Sequence, residues 1–241
     1  MFVDDGIWLV DQLQASNVYI VATGGGAVIV DTGVRGSTAA ILNTLHHAGF
    51  TPQQVRAIVI THAHIDHIGS LPELQQATGA PICASPGEAA AIEGHQPIPH
   101  PPGIHGLLFF AMSSALRPQP VAVQHLLHPG AAIPHLPDWR VVGTPGHTPD
   151  HVSFYHPERE FLLAGDAVVQ MGGLRRSPWI FTSHMPAAKA SVALLAGLRL
   201  RSAGWGHGQP IVDDPTLGER LAEVARNDRY RSMSARPLKW N

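Results

Sequence analysis

A single cysteine, Cys83, leaves this 241-residue chain without an internal disulfide, which fits a reducing cytosol. Set in Ala80-Pro81-Ile82-Cys83-Ala84, it reads as part of a buried strand. Charge is also sparse. Only 14% of residues are charged, with 16 Lys+Arg against 18 Asp+Glu and a net charge of −2, so no broad basic face exists for nucleic acid. The first residues, Met1-Phe2-Val3-Asp4-Asp5, carry acid where a secretory signal carries base, and no apolar h-region follows. Long apolar runs are missing too. The longest, Ile104 to Leu116, is broken by His105, Gly106 and two serines and is too short to span a bilayer. Together these absences predict a soluble, cytoplasmic protein with no membrane span and no nucleic-acid partner.

What the chain has is a 44% hydrophobic fraction, enough for the core of one α/β domain over residues 1–241, and 16 histidines. Three of these stand in His62-Ala63-His64-Ile65-Asp66-His67, directly after the apolar run Ala57-Ile58-Val59-Ile60. Imidazoles and a carboxylate are the usual ligands of zinc and similar ions. In extended backbone the side chains at 62, 64 and 66 point to one side and His67 to the other, so one loop could feed two adjacent ions.

Three later segments repeat the theme of a strand-like run that stops at a possible ligand. Arg140 to Gly146 leads to His147, Phe161 to Gly165 leads to Asp166, and Ala203 to Gly206 leads to His207. Buried strands ending in glycine-rich turns are how an α/β scaffold brings distant side chains to one rim. These positions supply five histidines and two aspartates, enough for two ions that each keep a place for water.

With Thr61-His62-Ala63-His64-Ile65-Asp66-His67, Thr144-Pro145-Gly146-His147-Thr148, Ala164-Gly165-Asp166 and Gly206-His207-Gly208 in this order, the chain resembles the metallo-β-lactamase superfamily from about Asn17 to Val212. The resemblance implies a four-layer αββα sandwich. It places His62, His64 and His147 on a first divalent ion and Asp66, His67 and His207 on a second, with Asp166 bridging them. Zinc is the expected metal, with iron or manganese as alternatives.

The segment pattern agrees with an α/β fold. A hairpin is predicted at Asn17–Val21 and Ala27–Val30 around Thr23-Gly24-Gly25-Gly26. Helices are predicted over Ser37–Ala48 (Ser37 as N-cap, Gly49 as stop), 69–78, 87–92, 187–198 and 216–227, and strands at 81–84 and around 140, 152 and 162. Residues 95–137 break the pattern, holding nine of the 21 prolines and six of the 16 histidines. They read as a stiff, irregular insertion. The apolar Leu107 to Leu116 within it predicts a helix packed on the core, a lid over the metals that uses Phe109 and Phe110, or a homodimer contact.

Around the ligands, Asp31 is the best candidate to orient a histidine from outside, with Asp11 and Asp150 behind it. His151 reads as an outer hydrogen-bond partner. Tyr155, His184 and Trp179 are candidate substrate contacts. Two ions bridged by a carboxylate lower the pKa of a shared water toward about 7, giving a hydroxide that attacks an acyl or phosphoryl centre, and Asp66 could carry a proton to the leaving group.

Aspartate at 166 departs from the antibiotic-hydrolysing branches. Only 34 residues follow His207, too few for the glutathione-binding helices of glyoxalase II. What the resemblance then implies is a thioesterase, lactonase or related ester hydrolase acting on a small, apolar acyl substrate. The alternatives are a mononuclear iron oxidoreductase like the persulfide dioxygenases, a phosphodiesterase, or a non-catalytic sensor.

Overall fold

The fold is a computed structural model in which residues 1–10, 13 and 15–227 are described; Asp11 lies outside them. Strands β1 (Phe2–Asp4) and β2 (Ile7–Leu9) pair antiparallel and lead into the predicted hairpin of β3 (Tyr19–Thr23) and β4 (Gly26–Val30). Thr23 lies opposite Gly26, and Gly25 takes φ +131°, backbone that a side chain would strain. Helix α1 (Thr38–His47) follows and stops before Gly49. Ser37 stands at its N-cap position, but its hydroxyl makes no capping bond. Its N–H donates instead to Ser70 Oγ (2.8 Å), because the chain at Gly69 and Ser70 is laid against this turn, with Gly69 N–H on the Gly33 carbonyl (2.9 Å).

Strand β5 (Val55–Val59) then runs parallel to β4. After it come the single helical turn α2 (Ile65–Ile68), α3 (Leu71–Thr78), β6 (Ile82–Ala84), α4 (Pro86–Ile92), the 14-residue α5 (Gly103–Leu116) and β7 (His125–Leu126). Strands β1 to β7 form one sheet in chain order, and its last four strands are parallel.

The second half supplies β8 (Ala132–Ile133), β9 (Leu136–Gly143), β10 (Val152–His156) and β11 (Phe161–Leu163), then a separate hairpin of β12 (Val168–Gln170) and β13 (Leu174–Arg176). Helix α6 (Met185–Ala196), β14 (Ser202–Gly204) and α7 (Leu217–Arg226) follow. The second sheet runs β14-β11-β10-β9-β8. Helix α6 begins earlier than its apolar pattern predicts, because Pro186 fits a first helical turn and His184 caps it.

Three apolar clusters show why the layers form. Alternate residues of the first sheet, Ile20, Ile29, Ile58 and Ile60, face Ile41 and Leu45 of α1 and Leu71 and Leu74 of α3. Their neighbours Val21, Val28, Val30 and Val59 turn the other way and meet Trp139, Val141, Phe154 and Phe161 of the second sheet. The far side of that sheet packs Leu162 and Trp205 on Val192 and Leu195 of α6 and Leu221 of α7. The result is helix, sheet, sheet, helix, an αββα sandwich. Strand β4 is buried on both faces, which is why it reads as an unbroken apolar run.

Part of the segment expected as an insertion belongs to this frame. Strands β7 and β8 fall within 125–133, one at the edge of each sheet, where short strands flanked by proline are tolerated. Helix α5 does lie outside the sheets, and it is not a core element. Ile104, Leu107, Leu108 and Leu116 are each about 60% exposed or more among its apolar residues. The parallel strands β4 and β5, together with β9, β11 and β14, all release their C-terminal ends toward the same rim, and β10 enters from it.

Candidate metal centre

At that rim the chain leaves β5 through Ile60 and Thr61 and stays extended as far as His64. Helix α2 begins at Ile65, so the strand-like alternation expected across 62–67 holds only for 62–64. Asp66 and His67 instead project from a helical turn, about 100° apart around its axis. This still divides the motif between two clusters, by a different geometry from the one expected.

His62 and His64 meet His147, which the turn after β9 delivers. His147 Nε2 lies 3.1 Å from His62 Nε2 and 2.9 Å from His64 Nδ1. Beside this triangle, His207 Nε2 sits 3.4 Å from Asp66 Oδ2, and His67 Nε2 sits 3.7 Å from the same oxygen. Asp166, in the turn after β11, faces both groups: its Oδ2 is 3.5 Å from His147 Nε2 and 3.2 Å from His207 Nε2, and its Oδ1 is 3.5 Å from His67 Nε2. All seven residues singled out as ligands are therefore brought together, as groups whose candidate ligand atoms lie within 4.8 Å of one another. Gly206 makes this approach possible, since a Cβ there would stand 1.9 Å from Asp166 Oδ1.

Outer contacts fix which nitrogen of each ring points inward. A carbonyl oxygen accepts only, so His64 donates Nε2–H to Pro99 (3.0 Å) and turns Nδ1 to the cluster, while His207 donates Nδ1–H to Ala15 (2.6 Å) and turns Nε2 inward. His67 donates Nδ1–H to Asp31 Oδ2 (2.8 Å). The Thr61 hydroxyl donates to the same carboxylate (2.8 Å), which leaves its oxygen to accept from His62 Nδ1 (3.0 Å). Four rings thus turn one nitrogen to a shared space and have the other held from outside, the arrangement in which metal-binding histidines are held by their second nitrogen.

Two of the inward atoms lack a hydrogen bond. His67 Nε2 and Asp166 Oδ1 are buried without a hydrogen bond, a costly state for polar atoms unless something else meets them. A zinc–nitrogen bond of about 2.0–2.1 Å puts tetrahedral ligand atoms about 3.3 Å apart, close to the separations in both groups. The donor set therefore fits divalent cations.

Electrostatics point the same way. Burial, reinforced by neighbouring imidazoles, holds His62 and His147 well below the ordinary histidine pKa. Burial lowers His64 to about 4 despite Asp66 and Asp166. At His67 burial also lowers the pKa, but Asp66, Asp31 and Asp166 outweigh it and carry the ring up to about 10. For Asp166 burial is opposed by His207 and His67, which keep the carboxyl ionised. Neutral imidazoles on one side and an ionised Asp166 on the other give the two groups different charge.

The remaining candidates divide. Asp31, at φ +62° and almost fully buried, holds His67 and takes both the N–H and the hydroxyl of Thr61. His151 packs beside His62 (ring centroids 5.1 Å apart) but spends both nitrogens elsewhere: its Nε2 accepts the Asp166 N–H (3.0 Å) and its Nδ1 meets Thr144 Oγ1 (2.8 Å), so it orients the loop that carries Asp166. Asp150 orients no histidine, because its carboxylate accepts the Gly87 N–H (2.6 Å). Tyr155 is misplaced for substrate contact, since its hydroxyl donates to the Arg199 carbonyl (2.8 Å) on the helix side of the second sheet. His184 caps α6, its Nδ1 accepting the Ala187 N–H (3.2 Å), and its ring is exposed. Trp179 stands at the head of the 3-10 turn Trp179–Phe181, whose Phe181 meets Phe109. Phe109 reaches the centre, with its ring 4.9 Å from His64 and 5.9 Å from Phe181, whereas Phe110 turns to His100 at 5.4 Å.

Sequence reasoning passed over Glu88. Its carboxylate is fully buried, accepts the Ala63 N–H (2.8 Å) and the Thr148 hydroxyl, and is pushed by burial up to about 7. The available signal was its place on the apolar face of α4, three and four residues before Ala91 and Ile92.

Comparison with known proteins follows from this geometry. A family model described as metallo-beta-lactamase superfamily matches residues 12–207. YflN of Bacillus subtilis, a probable metallo-hydrolase, is 31% identical, covering 88% of this chain and 90% of its own length. Thioesterase pkgB of Emericella nidulans is 26% identical over 93% of this chain, which spans only 55% of that relative. Among solved structures, TTHA1623 in a di-iron-bound form superposes with a TM-score of 0.65 at 26% identity, covering 92% of this chain and 98% of that one.

Proposed function

The chain belongs to the metallo-beta-lactamase superfamily, and on that premise we propose that it is a two-metal hydrolase of ester or thioester bonds with an apolar acyl group. His62, His64 and His147 hold one ion, Asp66, His67 and His207 the other, and Asp166 spans both. Zinc is the metal we assign, on the strength of an imidazole-rich donor set. The observation that carries the reading is Asp166, a buried carboxylate with one oxygen facing His147 of the first group and His207 of the second.

When bound, such ions supply a water that ionises near neutral pH and a Lewis acid for the electrophilic oxygen. The chain's own residues do the rest. Asp31, Thr61, Pro99 and Ala15 fix the direction of the ligand rings, so little reorganisation accompanies the reaction. Asp66 is the most exposed of the inner carboxylates, with about a quarter of its side chain open, and is placed to pass a proton to the leaving group. Phe109 and Phe181 form an apolar wall beside His64, continuous with the exposed apolar surface of α5. An acyl chain resting there would be held with its carbonyl toward the metals. The thioesterase among the relatives supports this substrate class.

A turnover panel tests the reading: short and long acyl thioesters, p-nitrophenyl esters, lactones and a bis-aryl phosphodiester, each with and without a chelator. Chelator-sensitive hydrolysis of thioesters or esters, rising with acyl length, is expected. Cleavage of the phosphodiester alone, or oxygen uptake with a thiol substrate, would replace it.

A further inference from the structure

Glu88 is a buried acid that the reaction does not use, and its position explains its presence. The three-histidine group is assembled from two separate loops, one carrying His62 and His64 and the other carrying His147. Their backbones join beside the ligands, at Val152 N–H on the Thr61 carbonyl (3.1 Å). Each loop has a donor beside its ligands: the N–H of Ala63, between His62 and His64, and the hydroxyl of Thr148, next to His147. Glu88 Oε2 accepts the first at 2.8 Å and Oε1 accepts the second. The carboxylate is fully buried, and the first turn of α4 that bears it is itself tied to the His147 turn, through Gly87 N–H on the Asp150 carboxylate (2.6 Å) and the Ser85 hydroxyl on the Asp150 carbonyl (2.6 Å). Two acceptor oxygens on one planar group, held by a short helix, are what is needed to set the distance between two loops.

We propose that Glu88 is a positioning residue that sets the three-histidine site by clamping its two loops together, and that it governs the affinity and ligand geometry of that ion and not of the other. The proposal rests on the two-ion reading above. It assigns Glu88 no contact with metal or substrate. Glutamine preserves the clamp: its carbonyl accepts the Ala63 N–H, and its NH2 donates to a Thr148 hydroxyl that rotates to accept. Alanine removes both bonds.

The test compares wild type with E88A, E88Q and T148V, each stripped of metal and titrated with Zn2+ against a chromophoric chelator, then with Co2+ to record its visible spectrum. Loss of such a support costs metal sites about 10–100-fold in affinity. For E88A one of two equivalents should weaken by that factor, with a changed Co2+ spectrum, while the other keeps its affinity. E88Q should recover most of the loss, and T148V, which deletes one bond of the clamp, should move the same equivalent in the same direction by a smaller factor. If E88A does not fold, E88Q and T148V decide the matter. Two unaltered equivalents in E88A or T148V would overturn the proposal, as would equal weakening of both equivalents in all variants. A wild type that takes up one equivalent or none would instead overturn the two-ion reading.

Discussion

Replacing Asp31 with asparagine changes one heavy atom, an oxygen to an NH2, and reverses one hydrogen bond, and the consequence follows from the geometry. The carboxylate accepts three donors: Thr61 N–H on Oδ1 (2.8 Å), and the Thr61 hydroxyl and His67 Nδ1–H on Oδ2 (2.8 Å each). Asparagine keeps the shape and tolerates the φ of +62°. If its amide oxygen takes the place of Oδ1, its NH2 faces His67 Nδ1, which must then accept. The ring proton moves to Nε2, the atom that points at Asp66 and Asp166. If the amide is turned the other way, its NH2 opposes the Thr61 N–H and leaves a buried donor unpaired, at a cost of about 1–3 kcal/mol.

The first orientation keeps the Thr61 N–H paired and is favoured, so the group holding Asp66, His67 and His207 should lose about 10–100-fold in metal affinity, or about 1.4–2.7 kcal/mol, while the three-histidine group, which Asp31 reaches only through Thr61 and His62, should lose less. Competition titration of metal-stripped D31N with Zn2+ should show one tight and one weakened equivalent. D31A, which leaves His67 without its acceptor, should show the same loss together with a lower melting temperature. Two wild-type equivalents in D31N would refute the account of how His67 is held.

Asp166→Ala should cost one ion and most of the turnover, because its Oδ2 faces His147 of one group and His207 of the other; elemental analysis beside kcat checks this, and retention of both ions would remove the bridging role. Phe109→Ala should lower kcat/KM more for long than for short acyl substrates, with a stability change well below the roughly 3–5 kcal/mol of a fully buried phenylalanine, since its ring is only half-buried. An unchanged chain-length profile would exclude the wall. The metal-stripped chain should be most stable near pH 6.5. His62, His64, His147 and His151 have lowered pKa values, so on acidification the unfolded chain takes up protons first and stability falls. His67 and His207 are raised, since carboxylates outweigh burial, so their contribution is present below pH 6.5 and is lost as pH rises toward 10. A melting temperature that climbs steadily from pH 5 to 9 would contradict this balance.

The candidate ligands were legible because each cluster of them follows an apolar run, and a strand that leads into histidine or aspartate has few other readings. Strand β4 was legible for a related reason, being apolar throughout as a strand covered on both faces must be, whereas the αββα order came from the family resemblance. What escaped depended on tertiary neighbours. Nothing local says that Glu88 is buried, that Tyr155 turns its hydroxyl to Arg199, or that His184 is spent on capping α6. The extended alternation read across 62–67 failed because Ile65 starts a helical turn, and a four-residue helix leaves no periodicity to detect. Helix α5 is as apolar as a core helix, yet it lies on the surface. Composition alone does not separate those cases.

The central claim is that two ions held by these seven residues perform a hydrolysis. The direct test is to titrate the metal-stripped chain with Zn2+ while following hydrolysis of a long-chain acyl thioester. The account predicts turnover that climbs until two equivalents per chain are bound and then levels. A plateau at one equivalent, or two bound equivalents with neither thioester nor ester cleaved, would contradict it.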